Sequence, residues 1–262
     1  MNYKISIPSK KIIGTVNLTS SKSESNRVLI IQALCHEKFE IENLSTSDDT
    51  ILLKRMLEQA RFVSSNESNY YTGDGGTTTR FLIAYLCTKP GTHIVQTSEQ
   101  MKQRPIGILV NALQKLGAQI EYLENEGQTP VKIIGNKQLR GGEIMLDGSV
   151  SSQFITALML IASEMQQGLS IKFEGEVVSR PYINMTLKML QEFRVYGQWQ
   201  DNAISVSKQN YHIKSDANYV YKVEGDWSSA SYWYAMAALA SEVDLNINGL
   251  KHPSLQGDSI VA

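Results

Sequence analysis

Cysteine is scarce. The 262 residues contain two, Cys35 and Cys87, both inside apolar stretches and without C-x-x-C spacing, so neither a disulfide framework nor a thiolate metal site can be built from them. With no secretory hydrophobic region after Met1-Asn2-Tyr3-Lys4, a reduced, cytosolic compartment is expected. Charge of one sign is also missing: 25 Lys and Arg face 26 Asp and Glu, which leaves no bulk field to draw nucleic acid or an anionic membrane. The longest apolar runs fall well short of the roughly 20 residues that cross a bilayer. No nucleic-acid partner and no membrane partner is expected, and the 42% hydrophobic content suffices for a globular core.

What is present is a repeat. Four times a stretch rich in small polar residues opens into a nearly all-apolar, helix-length run. The starts lie at Ser20 to Ser23, Gly73 to Thr77, Asp147 to Ser152 and Gly225 to Ser229, each with helix-capping chemistry. A strand-like segment follows each helix: residues 39–44, 93–96, 170–173 and 244–248. A second helix start comes next, at Asp48, Arg104, Arg180 and Gln256, at offsets of 26 to 29 residues. The unit is helix, strand, helix, then one or two more strands. First helices are apolar on most sides and belong at the centre. Second helices are amphipathic, as Leu109, Leu113 and Leu116 beside Asn111, Gln114 and Lys115 illustrate. The fourth unit stops a few residues into its second helix, too short to bury a face, and a C-terminally truncated protein is expected.

Buried helix starts rich in small residues leave backbone N–H groups free for an anion, and phosphate is the natural guest. Capping alone would explain any single start. The recurrence of cations beside them, Lys22, Arg27, Arg80, Arg104 and Arg180, favours ligand binding. A helix end contributes about 0.3 to 2 kcal/mol toward an anion, against about 4 kcal/mol for one charge at about 4 Å and an effective dielectric near 20. Lys and Arg therefore decide the affinity. Gly73-Asp74-Gly75-Gly76-Thr77 lacks the Lys-Ser/Thr ending of a nucleotide loop and the G-x-G-x-x-G spacing. His36, His93, His212 and His252 have no metal-like spacing, and no G-x-S-x-G is present. The aromatic cluster Tyr219, Tyr221, Trp227, Tyr232, Trp233 and Tyr234 reads as core or domain packing.

Six motifs carry a family resemblance: Lys22-Ser23-Glu24-Ser25-Asn26-Arg27, Gly73 to Arg80, Arg104-Pro105-Ile106, Ser151-Ser152-Gln153-Phe154, Ser179-Arg180-Pro181-Tyr182 and Gly225 to Tyr232. In this order they resemble the 5-enolpyruvylshikimate-3-phosphate synthase family. The resemblance implies an α/β enolpyruvyl transferase fold of repeated βαβαββ units, helices inside and sheets outside. It implies one complete lobe at 19–222, with 1–18 and 223–262 belonging to an incomplete second lobe. It further implies transfer of the enolpyruvyl group of phosphoenolpyruvate to the 5-hydroxyl of shikimate 3-phosphate with release of phosphate. No cofactor and no metal is implied, and the full enzyme is expected to be a monomer.

Carried over by similarity, Lys22 is the catalytic candidate and meets both substrates. Ser23, Arg27, Ser151, Ser152, Gln153, Ser179 and Tyr182 would hold shikimate 3-phosphate, while Gly76, Arg104 and Gln153 would hold phosphoenolpyruvate. A residue larger than glycine at 76 is expected to crowd that phosphate. The family's acidic proton-transfer groups and further cations would lie past position 262, so this chain alone is expected to be inactive. Two positions depart from the family pattern, Thr19-Ser20 in place of Pro-Gly and Asp74 in place of Asn; Asp74 is expected to be structural. The rival readings are the sister transferase acting on UDP-N-acetylglucosamine, whose usual cysteine before Arg-Pro is absent from 99–103, and a noncatalytic phosphate-ligand binding module.

Overall fold

The structure is a computed structural model and describes residues 9–61, 67–136, 139–214 and 219–262. Residues 1–8 of the expected second-lobe segment lie outside the described residues. The expected first helices are α1 (Lys22–Leu34), α3 (Gly76–Cys87), α6 (Ser152–Leu160) and α8 (Trp227–Leu239). In the first three, burial extends round the helix: Val28 to Ile31, Phe81 to Cys87 and Phe154 to Leu160 are all buried. The second helices α2 (Asp48–Arg61), α5 (Gly107–Lys115) and α7 (Arg180–Glu192) bury one face only. Gly117, at φ +101°, follows the C-cap Leu116 of α5 in a conformation that favours glycine.

One second helix differs from expectation. Instead of starting at Arg104, the chain forms a single turn, α4 (Glu99–Lys102), capped by Ser98, and α5 begins only at Gly107. Pro105 disfavours a helical Arg104, and the Ile106 N–H donates to the Gly127 carbonyl at 2.9 Å, which holds the break open. Gln256 likewise caps a short 3-10 turn, Gly257–Val261, in place of an α-helix.

The strands form two equivalent four-stranded sheets. One holds β3 (Glu67–Tyr71), β4 (Gly91–Gln96), β5 (Gln119–Tyr122) and β6 (Val131–Gly135) in the order β3-β4-β6-β5. The other holds β7 (Gly142–Asp147), β8 (Leu169–Glu174), β9 (Gly197–Gln200) and β10 (Ala203–Val206) in the order β7-β8-β10-β9. In each, the first pair is parallel and flanks a first helix, and the remaining pairs are antiparallel.

The remaining strands exchange partners. β1 (Lys11–Asn17) precedes α1 but pairs in parallel with β12 (Glu242–Asn248), the strand that follows α8. β11 (Val220–Lys222) precedes α8 but pairs in parallel with β2 (Glu40–Glu42), the strand that follows α1. The chain therefore crosses between sheets twice. The crossings run against each other, with Ser20 bridged to Gly225, the Ser21 N–H donating to the Glu224 carbonyl at 2.9 Å and the Asp226 N–H to that of Thr19 at 2.8 Å.

Candidate functional site

The N-terminal ends of α1, α3, α6 and α7 come together, and two buried arginines tie them. Arg27 of α1 donates from Nε to Thr186 Oγ1 of α7 at 2.9 Å, from Nη1 to the Ser23 carbonyl at 2.7 Å, and from Nη2 to Thr156 Oγ1 of α6 at 3.3 Å. Arg80 of α3 donates from Nη1 to Gln153 Oε1 of α6 at 2.5 Å and from Nη2 to the Pro105 carbonyl at 3.2 Å. Among the described residues neither arginine forms an ion pair. Burial lowers both guanidinium pKa values to about 10, with the Arg104 charge adding to the effect at Arg80. Each buried charge thus carries a desolvation penalty, which an arriving anion would offset.

Lys22 and Asp49 complete one side. Lys22 opens α1, half exposed, and its Nζ contacts Asp49 Oδ2 at 3.1 Å. Asp49 sits in the first turn of α2, and its carbonyl accepts from Thr78 Oγ1 of α3 at 2.7 Å. The starts of α1, α2 and α3 are therefore linked through one aspartate, a residue sequence reasoning missed because nothing in the spacing joins α2 to Lys22.

Gly76 and Arg104, assigned together by resemblance, are in contact. A Cβ at Gly76 would stand 2.6 to 2.8 Å from the Arg104 guanidinium. A larger residue at 76 would therefore have to displace the Arg104 side chain. Asp74 does not cap α3, whose N-cap is Gly75 without a side-chain bond; its carboxylate accepts from the Ser98 hydroxyl and so joins this loop to the cap of α4.

The serines divide. Ser151 caps α6 and accepts from the Gln153 N–H at 3.3 Å, while Ser152 is buried. Ser179 occupies the N-cap position of α7 but makes no capping bond. Its neighbour Tyr182 is exposed at the mouth, with its ring 5.9 Å from the Arg27 guanidinium carbon. Ser23 lines a small cleft with Tyr182, Asp226 and Asp258. The aromatic cluster splits as well. Tyr221 and Trp227 are buried, but Tyr232 is 73% exposed, so packing accounts for only part of it.

No thiol approaches this region: residues 99–103 contain none, Cys87 is the buried last residue of α3 and Cys35 the C-cap of α1, at the far ends of both helices. Among the described residues no group of three His, Cys, Asp or Glu could hold a metal, and no helix is long and apolar enough to cross a membrane.

Comparison with known proteins agrees with this architecture. The solved structure of EPSP synthase from Acinetobacter baumannii superposes with a TM-score of 0.78 at 20% identity, over 92% of this chain and 57% of that one, which establishes the fold. A 3-phosphoshikimate 1-carboxyvinyltransferase of Bacteroides fragilis strain YCH46 is 45% identical over 261 residues, 99% of this chain and 60% of the relative. Its counterpart in Vibrio atlanticus strain LGP32 is 37% identical over 275 aligned positions, 96% of this chain and 63% of the relative. The chain thus spans about 60% of the length of the relatives it matches. The family model for EPSP synthase (3-phosphoshikimate 1-carboxyvinyltransferase) matches residues 7–262, and the chain belongs to the EPSP synthase family.

Proposed function

We propose that this chain supplies one side of an enolpyruvyl transferase site, at which the enolpyruvyl group of phosphoenolpyruvate passes to the 5-hydroxyl of shikimate 3-phosphate and phosphate leaves. The observation that carries the reading is the pair of buried arginines, neither in an ion pair among the described residues, at converging helix starts, an arrangement suited to multiply anionic small molecules. Names of relatives at up to 45% identity support the same substrates. The partner exchange of β1 and β11 supports lobes divided near Thr19 and Lys222. A cytosolic location fits the cysteine usage.

In this reading Ser151, Ser152 and Ser179 receive the shikimate phosphate, and Ser23, Arg27 and Tyr182 the rest of that ring and its carboxylate. Arg104 beside Gly76 receives the phosphate of phosphoenolpyruvate. Gln153 reaches both. Lys22, oriented by Asp49, faces the reacting hydroxyl and stabilises charge or passes a proton as the tetrahedral intermediate forms and collapses. Each substrate bears a phosphate and a carboxylate, and these four anionic groups face only Lys22, Arg27 and Arg104 as matched cations, so the chain binds without turning over. A phosphate-release assay tests this: no catalytic release is expected from the 262-residue chain with both substrates, and sustained release would overturn the half-site reading.

A further inference from the structure

Arg80 has no role in the substrate set above, yet it is among the most constrained polar side chains of the site. Its relative exposure is 5%, its guanidinium carbon lies 4.8 Å from the centre of the Phe154 ring, and its Nε is buried without a hydrogen-bond partner. Its two terminal nitrogens reach one group from each proposed subsite, the Gln153 side chain and the carbonyl of the residue after Arg104. A guanidinium has only donors. Gln153 must therefore turn its carbonyl oxygen toward Arg80, and both N–H donors of its amide are left for another partner. Phosphates, carboxylates and hydroxyls all accept hydrogen bonds, so this is the amide orientation a substrate-facing glutamine needs.

We propose that Arg80 is a positioning residue that fixes the Gln153 amide as a donor toward the ligands and pins the Arg104-Pro105 backbone over the start of α3. The proposal rests on the transferase reading for the identity of the ligand, but not for the geometry. Without Arg80 the Gln153 amide is free to rotate, and half of its orientations would present an acceptor to an anion. The nearby Arg104 charge makes the pair mutually repulsive, so the arrangement gains most when an anion joins it.

Two measurements on the whole chain test this. The first needs no ligand. In a heteronuclear spectrum the Gln153 side-chain amide pair, identified by its disappearance in Gln153→Met, is expected to shift and broaden in Arg80→Met while the bulk of the backbone spectrum holds. An unmoved Gln153 pair overturns the proposal. The second is a double-mutant cycle read by shikimate 3-phosphate titration. Arg80→Met is expected to weaken binding about tenfold or more, and Arg80→Lys to recover part of that loss by restoring the charge without the fork. In a Gln153→Met background, Arg80→Met is expected to weaken binding far less than in the parent chain. Fully additive losses would overturn positioning through Gln153. Absence of binding by the parent chain would count against the transferase reading, while the spectral result would still decide the role of Arg80.

Discussion

Helices α3 and α8 hold the same place in the second and fourth units and are written in similar chemistry, a small polar start followed by apolar and aromatic residues, yet they end in opposite environments. In α3 every residue from Thr78 to Cys87 is buried, packed between α2, α6 and the sheet containing β4 and β6. In α8 only Trp227 and Ala230 are buried, while Tyr232 and Leu239 stand 73% and 84% exposed, with β12 and the terminal 3-10 turn as its main neighbours. An all-apolar first helix encodes a demand for burial, but the neighbours that meet it come from other units. Three consecutive units satisfy each other around α1, α3 and α6. The fourth has no such set among the described residues, in a chain about 60% as long as its relatives.

The largest effect expected from this contrast is on stability. Leu82→Ala, at a fully buried position of α3, should cost about 2 to 5 kcal/mol, whereas Leu239→Ala on α8 should stay within about 0.5 kcal/mol. Denaturant unfolding of both variants checks this, and equal losses would break the comparison. Next come the ligand contacts. Lys22→Ala should weaken shikimate 3-phosphate, and Arg104→Ala phosphoenolpyruvate, by about tenfold or more, with unfolding midpoints unchanged because both side chains lie at the mouth. Unchanged titrations would reject these assignments. A smaller effect is expected from Gly76→Ala, whose Cβ must push the Arg104 guanidinium aside. Phosphoenolpyruvate binding should fall several-fold while shikimate 3-phosphate binding holds, a split that calorimetry resolves.

The smallest effect concerns the crossings. Glu24 is buried where they meet, accepting from the Tyr221 hydroxyl at 2.8 Å and the Glu224 N–H at 3.2 Å. Burial raises its pKa above 4.5, against the opposing pull of those two hydrogen bonds. The folded state therefore holds this proton more tightly than the unfolded chain, and the resulting stability is present below the unfolded pKa and lost as pH rises through the folded one. Glu24→Gln should lack that decline, so the wild type's stability relative to the variant should fall from about pH 4.5 upward. A constant difference across that range would show that Glu24 does not titrate in this way.

Much of the framework was legible from the sequence because it repeats. Small polar starts, apolar first helices and amphipathic second helices located α1, α2, α3, α6, α7 and α8, since capping and periodicity are local. The break at Arg104 was not legible, because it depends on a tie between Ile106 and Gly127 as well as on Pro105. At the site, motif resemblance brought Lys22, Gly76, Arg104 and Gln153 into view. Asp49 and the role of Arg80 emerged only from geometry, because each acts across units: Asp49 reaches Lys22 across 27 residues and Arg80 reaches Gln153 across 73. The contact between Gly76 and Arg104, which spacing alone could not reveal, adds a second physical reason for a glycine there.

The proposed half-site is preassembled from converging helix starts and two buried arginines, neither in an ion pair among the described residues. Its most direct test is a calorimetric titration of the 262-residue chain with shikimate 3-phosphate, with shikimate as the control that lacks the phosphate. Saturable binding of the phosphorylated compound alone is the predicted result. Equal affinity for the two compounds, or no binding of either, would contradict a preformed phosphate-reading half-site in this chain.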